Sequence, residues 1–228
     1  TQAIRVRNRK AQINSKFCID CGECIRVCPH HAKLALYDPL DSLQHYDYTV
    51  ALPAPSLYSQ FNNMDDVNIV LNGLILMGFD DVFEVSAAAE MVSEATREYI
   101  AANYSGTPFI STACPSVVRL IRVKFPNLIS NLLPLKPPIE VAAQMAVKKA
   151  MEQTGLPRQK IGIFFISPCP SKVTYVKSPL GTDRSEVDRV LAIKDVYPQL
   201  ISYMQTVDPK APDMSESGKI GVGWGRRT

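Results

Sequence analysis

The chain has 228 residues, of which 46% are hydrophobic and 21% are charged, and its formal net charge is +3. This length and hydrophobic content allow one sizeable core with a small additional lobe. The low net charge and the lack of a basic stripe argue against a nucleic-acid partner, and no apolar stretch is long enough to span a membrane.

The first element is a short basic run formed by Arg5, Arg7, Arg9 and Lys10. Charged side chains in such a run are usually solvated. We therefore predict an exposed hairpin of a small N-terminal lobe, rather than a binding patch.

Four cysteines follow in one tight motif, Cys18, Cys21, Cys24 and Cys28, with Pro29 directly after the last. The C-x2-C-x2-C-x3-C-P spacing is that of bacterial ferredoxins, whose cysteines bind 4Fe–4S clusters. Zinc sites usually pair two C-x2-C units across a longer gap, and a disulfide framework does not explain the proline. The motif therefore predicts that these four cysteines bind a 4Fe–4S cluster in a lobe formed by residues 1–40.

The residues before this motif look like the second half of an earlier copy, because Ala3 aligns with Ala32, which follows the C-P pair. We interpret the chain as beginning just after a lost cysteine motif. In two-cluster ferredoxins the last cysteine of each motif ligates the other cluster. The first three cysteines would then need a fourth ligand from the missing segment, and Cys28 would serve a second cluster. The alternative is one cluster held by all four local cysteines.

Of the six cysteines in the chain, four lie in this motif. Cysteines used as metal ligands favour a reducing compartment over a disulfide-bonded one. We therefore expect a cytoplasmic protein.

Beyond residue 40 the pattern predicts alternating strands and helices. Predicted strands are 48–52, 82–85, 108–112, 160–166 and 189–193, and predicted helices are 64–78, 87–103, 138–149, 195–204 and one through 118–123. Such alternation predicts an α/β fold, with parallel sheets and helices on both faces, in a domain of residues 41–228. A partial ferredoxin-like α+β lobe precedes it.

The two remaining cysteines, Cys114 and Cys169, each follow a predicted strand and are flanked by proline. Ligands of parallel sheets gather beyond the carboxyl ends of the strands, which favours a shared metal centre. Free cysteines are also common in hydrophobic cores, and this remains the alternative for each cysteine taken alone.

The residues around Cys114 and Cys169 resemble the cluster-binding loops of the iron–iron (FeFe) hydrogenases. Residues 111–120 are STACPSVVRL and are similar to the first loop, usually T-S-C-C-P-x-W. Residues 167–172 are SPCPSK and are similar to the second loop, usually M-P-C-x-x-K. The resemblance extends over residues 1–225. It implies the large subunit of an FeFe hydrogenase, that is, its hydrogen-cluster domain with a ferredoxin-type lobe.

In that family a 4Fe–4S cube bridged to a two-iron cluster activates hydrogen. One cysteine from each of the first two loops and two from a third hold the cube, so the resemblance implies that Cys114 and Cys169 are metal ligands. It also implies that Lys172 donates to a cyanide ligand of the two-iron cluster and that Ser167, in place of a methionine, binds the cofactor. A surface lysine beside a turn is the alternative for Lys172. The implied partner is a redox protein, ferredoxin or similar.

Several residues depart from the family pattern. Ala113 takes the place of the cysteine that relays protons, and a methyl group has no proton to exchange, so the catalytic residue stays unassigned. Tyr175 replaces a glutamate after the second loop, and Ala95 and Thr96 lie where another relay glutamate is expected. These departures resemble the sensory branch of the family, whose members are thought to report hydrogen or redox state and to turn over slowly.

The third loop of the family has no counterpart, because no cysteine follows Cys169. Since cubes normally take four protein ligands, we expect this chain alone to be inactive as a hydrogenase. We interpret it as a fragment, truncated at both ends, of a larger protein. Two alternatives stay open: a non-catalytic hydrogenase-like iron–sulfur protein of the cluster-assembly type, and a simple ferredoxin-like electron-transfer module. The oligomeric state also stays open.

Overall fold

The computed structural model describes residues 1–61 and 66–224. The N-terminal lobe contains, in chain order, strand β1 (Ile4–Arg7), strand β2 (Lys10–Ile13) and helix α1 (Glu23–Arg26). The α/β unit continues with a 3-10 helix (Leu40–His45), β3 (Tyr48–Pro53), α2 (Pro55–Tyr58), α3 (Asn68–Leu76), β4 (Asp81–Val82), α4 (Val85–Asn103), α5 (Pro115–Lys124) and a second 3-10 helix (Pro126–Asn131). It ends with α6 (Pro138–Thr154), a 3-10 turn (Arg158–Lys160), β5 (Ile161–Ser167), α7 (Pro170–Lys177), β6 (Arg189–Ala192), α8 (Ile193–Met204) and α9 (Lys219–Gly223).

In the lobe, β1 and β2 form an antiparallel hairpin in which Arg7 lies opposite Lys10. Asn8 and Arg9 connect the strands with φ angles of 50° and 60°, the backbone of a two-residue hairpin turn. Every residue of β1 is exposed, and so are three of the four residues of β2. The prediction that this hairpin is exposed to solvent is therefore confirmed, and its role in binding is not decided by exposure.

A parallel sheet with the strand order β4–β3–β5–β6 forms the centre of the α/β unit. All seven residues of β5 are buried. A parallel strand covered by helices on both faces is expected to be such a continuous apolar run, because neither of its faces meets water. The predicted α/β fold with a parallel sheet is confirmed.

Successive side chains of β5 point to opposite faces of the sheet and so belong to two hydrophobic cores. Ile163 and Phe165 pack in the core that contains residues of α4 and α6. Phe164 and Ile166 pack in the core that contains residues of α3 and α8. This double burial fixes the register of β5, since a slip by one residue would exchange the two sets of side chains.

Most predicted elements correspond to observed ones. The strands predicted at 48–52, 160–166 and 189–193 are β3, β5 and β6, and the helices predicted at 87–103, 138–149 and 195–204 are α4, α6 and α8. The helix predicted at 64–78 is observed as α3, and its first two positions lie outside the described residues.

The strand predicted at 108–112 is wrong. Ile110 forms only an isolated bridge with Leu132, and the backbone of Ile110 bonds to that of Asn131 and Leu133 at 2.8 Å and 2.9 Å. The segment therefore pairs with residues 131–133, at the end of the second 3-10 helix, and not with the sheet. The strand predicted at 82–85 is also too long, because Val85 already begins α4.

The segment that leads from the lobe into the α/β unit is attached to the sheet. The backbone N–H of Asp38 donates to the carbonyl oxygen of Val190 at 2.9 Å, and the N–H of Val190 donates to the Asp38 carboxylate at 2.9 Å. The division into domains 1–40 and 41–228 stays a prediction. No helix in the described ranges combines the length and apolar character of a membrane span.

Candidate metal centre

Three of the four motif cysteines share one hollow. Cys18, Cys21 and Cys24 line an apolar cavity of about 640 Å³. The loop that carries them turns through Asp20 and Gly22, which have φ angles of 54° and 76°. Left-handed residues at these positions let the chain wrap around the cavity within a few residues.

Cys28 lies apart from this cavity wall. Its sulfur accepts a hydrogen bond from the backbone N–H of Ala32 at 3.4 Å. Donation from the amides of Ala32 and His30 lowers the pKa of the Cys28 thiol, because both amides favour the thiolate. Burial raises the pKa of Cys18, so the two thiols differ in environment as well as in position.

The opposite wall of the same cavity belongs to α7 and includes Pro170, Val173 and Lys177. Gly22 touches this helix so closely that an added Cβ would lie 2.7 Å from Cγ of Pro170. Pro170 directly follows Cys169. The cysteine loop of the lobe therefore packs against the first turn of the helix that begins after Cys169.

Arg119, which lies on α5, connects the same loop to α5 and to the end of α7. Its Nη1 lies 3.2 Å from Oδ2 of Asp20, and its Nη2 donates to the carbonyl oxygen of Ser178 at 3.3 Å. Asp20 stands between Cys18 and Cys21, and Ser178 directly follows α7. About a fifth of the Arg119 side chain and a quarter of the Asp20 side chain are exposed, so this ion pair is partly shielded from solvent.

Cys114 and Cys169 occupy equivalent positions in the two helix starts. Each adopts an extended backbone directly before a helix, and each is followed by a proline at the first helical position. Proline is suited to that position because its missing N–H has no intrahelical partner there. Lys172 joins the two loops, since its Nζ donates to the carbonyl oxygen of Ala113 at 2.8 Å.

The thiols of Cys114 and Cys169 both lie close enough to the ammonium group of Lys172 to affect its pKa. Burial lowers the pKa of Lys172 to about 8, and the nearby Cys169 and Cys114 act in the opposite direction. Its Nζ is also 5.8 Å from the centroid of the Tyr175 ring. A cation held here would favour negative charge on both sulfurs, which is the form that binds metals.

Two serines complete the second loop. The Oγ of Ser167, a buried residue, accepts a hydrogen bond from the backbone N–H of Cys169 at 3.2 Å. The hydroxyl of Ser171 is buried without a hydrogen-bond partner among the described residues. A buried polar atom without a partner is costly, and a bound polar or metal-ligated group would satisfy it.

The residues that line the cavity fit an iron–sulfur cluster. In the described part of the chain, no three His, Cys, Asp or Glu side chains converge tightly enough to hold one ion. A cluster is a larger body, and three thiols around an apolar cavity of this volume suit one. At the second centre, Lys172 joins the loops of Cys114 and Cys169, and the Ser171 hydroxyl, which has no partner among the described residues, lies two positions after Cys169.

Four contributing residues were not predicted from the sequence. Asp20 and Arg119 are 99 positions apart, and nothing in either local pattern indicates that they pair. Ser171 and Tyr37 are also unpredicted. Burial raises the pKa of the Tyr37 hydroxyl to about 12, with a further contribution from Cys169, which places this residue near the second loop.

Comparison with known proteins gives two family matches. The family model described as iron only hydrogenase large subunit, C-terminal domain, matches residues 47–218. A 4Fe–4S binding domain model matches residues 11–33, which contain the four motif cysteines.

Individual relatives are distant. The chain is 22% identical over 232 residues to the NADP-reducing hydrogenase subunit HndD of Solidesulfovibrio fructosivorans, covering 91% of this chain and 39% of that protein. It is 23% identical over 179 residues to iron hydrogenase 1 of Clostridium pasteurianum, covering 74% of this chain and 31% of that protein. The apo form of a variant FeFe hydrogenase, HydA1 from Chlamydomonas reinhardtii, matches with a TM-score of 0.54 and 17% identity, covering 81% of this chain and 49% of that one. This chain therefore spans less than half the length of these relatives.

We predict that Arg119→Ala loosens the cysteine loop. The change removes the Asp20 pair and the bond to Ser178, and leaves a partly buried carboxylate unpaired, at a cost of about 1–2 kcal/mol. Amide hydrogen exchange of residues 18–26 and the thermal unfolding midpoint measure the effect. Arg26→Ala, which breaks the more exposed Arg26–Glu23 pair of the same lobe, is the control and should change little. Equal protection in both variants would contradict the bridging role.

We also predict a pH-dependent contribution from Lys172. Its pKa of about 8 lies below the ordinary value of 10.5, so between these values the unfolded chain binds more protons than the folded chain. The free energy of unfolding of the metal-free wild type should therefore rise by about 3 kcal/mol over this interval, relative to Lys172→Met. Urea denaturation below and above the interval measures the difference. Lys177→Met, an exposed position on the same helix, is the control, and a difference that does not vary with pH would refute the prediction.

Proposed function

This chain belongs to the family of the iron only hydrogenase large subunit, C-terminal domain, and on that premise we propose that it is the electron-transferring part of a slow, sensory hydrogenase-like protein. The observation that carries the proposal is the packing of the cysteine loop against the helix after Cys169. Iron–sulfur binding itself follows from the 4Fe–4S domain match. Electrons would pass between this lobe and a second centre at the loops of Cys114 and Cys169, the latter next to the helix against which the lobe packs.

We assign the cysteines in two groups. Cys18, Cys21 and Cys24 would bind the cube of the lobe, because their thiols share one cavity. Cys114 and Cys169 would supply two of the protein ligands of the hydrogen cluster in the whole protein, where the two-iron cluster, when bound, supplies hydrogen activation. Lys172 would hold negative charge on the two sulfurs and position a polar ligand, and Ser167 would orient the Cys169 loop through its backbone N–H.

The sensory assignment rests on Ala113, whose side chain cannot deliver protons to the site. Ala113 lies directly before Cys114, where its carbonyl accepts the Lys172 bond but its side chain has no proton to give. A site that lacks this acid–base group is suited to bind hydrogen and to report on it slowly. The same absence also favours a second candidate, a non-catalytic hydrogenase-like protein of the cluster-assembly type. Infrared bands from carbon monoxide and cyanide ligands in the full-length protein would favour the first candidate, and their absence from iron-loaded protein the second.

Serine variants of two motif cysteines test the ligand assignment in the lobe. Cys24→Ser should abolish the 4Fe–4S absorption and electron paramagnetic resonance signals after reconstitution, because Cys24 lines the cavity. Cys28→Ser should retain these signals, because the Cys28 sulfur faces the backbone of Ala32. Loss of the signals in both variants would overturn the assignment and indicate a cube held by all four local cysteines.

Ala113→Cys tests the sensory assignment. In the full-length protein the new thiol would add a general acid–base group beside Cys114, and hydrogen turnover should rise by about tenfold or more. Ala113→Ser, whose hydroxyl is a far weaker acid than a thiol, is the control of similar size and should give a smaller gain. Unchanged turnover, with intact infrared bands, would show that proton delivery does not limit this protein.

A further inference from the structure

The basic residues of the chain are concentrated in the lobe. Residues 1–36 contain seven Lys or Arg and two Asp or Glu, whereas the whole chain has 25 and 22. The rest of the chain therefore has a slight excess of acidic residues. A charge imbalance confined to one small lobe creates a local positive potential, which is not apparent from the low net charge of the whole chain.

Neither acidic residue of the lobe neutralises its hairpin. Asp20 pairs with Arg119 of the α/β unit, and Glu23 pairs with Arg26 on α1. Among the described residues, no carboxylate lies within ion-pair distance of Arg5, Arg7 or Lys10. These three exposed side chains are therefore not paired with a carboxylate of the described residues.

The hairpin places the three cations on one face. Arg5 and Arg7 are two positions apart on β1, and Lys10 lies directly opposite Arg7 on β2, so all three share a side of the ribbon. Like charges directly opposite each other destabilise a pair of strands. Arg9 adds a fourth cation in a turn position with φ of 60°, where glycine or asparagine is usual. The hairpin thus carries four cations although two of them face each other across the strands and one occupies a turn position that favours other residues.

This charged face borders the cluster cavity. Arg5, Arg7, Gln12 and Lys124 contribute to the lining of a surface cleft of about 470 Å³, which we call the basic cleft. Residues 1–3 and Ile13 line both this cleft and the cavity of Cys18, Cys21 and Cys24. The basic cleft and the cavity of the three cysteines therefore adjoin each other. Lys124 reaches the cleft from the C-terminal end of α5, so both parts of the chain contribute cations.

We propose that the basic cleft and the adjoining hairpin face are the docking surface for an acidic electron-carrier protein. The inference rests on the proposed electron-transfer function and adds where the carrier binds and what charge it bears. Complementary charge speeds association and sets orientation, which suits a partner that must bind briefly with its own redox centre toward the cluster. A nucleic acid fits less well, because it would need a long positive track and the rest of the chain is slightly acidic.

Charge reversal tests the proposal in cluster-loaded protein. The probe is a reduced, acidic plant-type 2Fe–2S ferredoxin, and stopped-flow absorption measures the second-order rate of electron transfer to the cluster. The triple variant Arg5→Glu, Arg7→Glu, Lys10→Glu should lower this rate at least about tenfold at low salt. The rate of the wild type should fall steeply with added salt, whereas that of the variant should not.

A matched control variant separates the effect of the local charge on the electron-transfer rate from the effect of the total charge. Arg97→Glu, Lys148→Glu and Lys194→Glu make the same change in net charge at exposed helix positions that line neither the cleft nor the cavity. This control should stay within about twofold of the wild type. Equal losses in both triple variants, or a wild-type rate that does not depend on salt, would overturn the docking surface. So would salt-sensitive binding of duplex DNA without any effect of the hairpin variant on electron transfer.

Reduction of the cluster by dithionite distinguishes a failure of this proposal from a failure of the electron-transfer function on which it rests. A chain that takes up no 4Fe–4S cluster, or whose cluster dithionite does not reduce, contradicts the electron-transfer function. A cluster that dithionite reduces equally in all variants, with ferredoxin rates that do not differ, contradicts the docking surface alone. Should the glutamate variant fail to fold, the glutamine variant at the same three positions should still lower the rate by several-fold.

Discussion

The bond from Lys172 to the carbonyl of Ala113 is the interaction on which the second centre depends. The Cys169 loop is placed by β5, whose register is fixed by burial on both faces. The Cys114 loop has no such support, because residues 108–112 lie outside the sheet. It is held instead by Lys172 and by the bond from Thr112 Oγ1 to the carbonyl of Leu135 at 2.8 Å. Lys172 thus links the Cys114 loop, which the sheet does not support, to the Cys169 loop, which it does.

The lobe is coupled to this centre by two unlike contacts. The contact of Gly22 with Pro170 is steric and fixes how closely the cysteine loop approaches α7. The Arg119–Asp20 pair is electrostatic and fixes its orientation, because the same guanidinium also binds the end of α7. Both contacts involve residues of the C-x2-C segment or its immediate neighbours. A displacement of α5 or α7 would therefore move residues that line the cluster cavity. A structural change at the cluster would, in turn, be transmitted to the loops of Cys114 and Cys169.

The last described part of the chain is held by side chains from its first half. The buried Glu84 carboxylate accepts six hydrogen bonds, five of them from Tyr58, Ser215, Glu216 and Ser217. The sixth comes from the hydroxyl of Ser86. Buried charge is tolerated only when it is so fully bonded. The position of Glu84 before the alanine-rich helix had suggested a strand, and no local signal indicated that its partners lie about 130 residues away.

Local pattern was sufficient for most of the elements and for the iron–sulfur chemistry of the lobe. The spacing of Cys18 to Cys28 indicated an iron–sulfur cluster because ligand spacing in such a loop is set by the cluster itself, and the apolar run of β5 indicated a buried strand because helices cover both of its faces. Other features arise only from the folded chain. The Arg119–Asp20 pair and the failure of residues 108–112 to join the sheet both depend on which distant groups become neighbours. Periodicity and spacing report a residue's own segment, whereas the contacts of a charged or polar side chain are decided by packing between segments far apart in sequence.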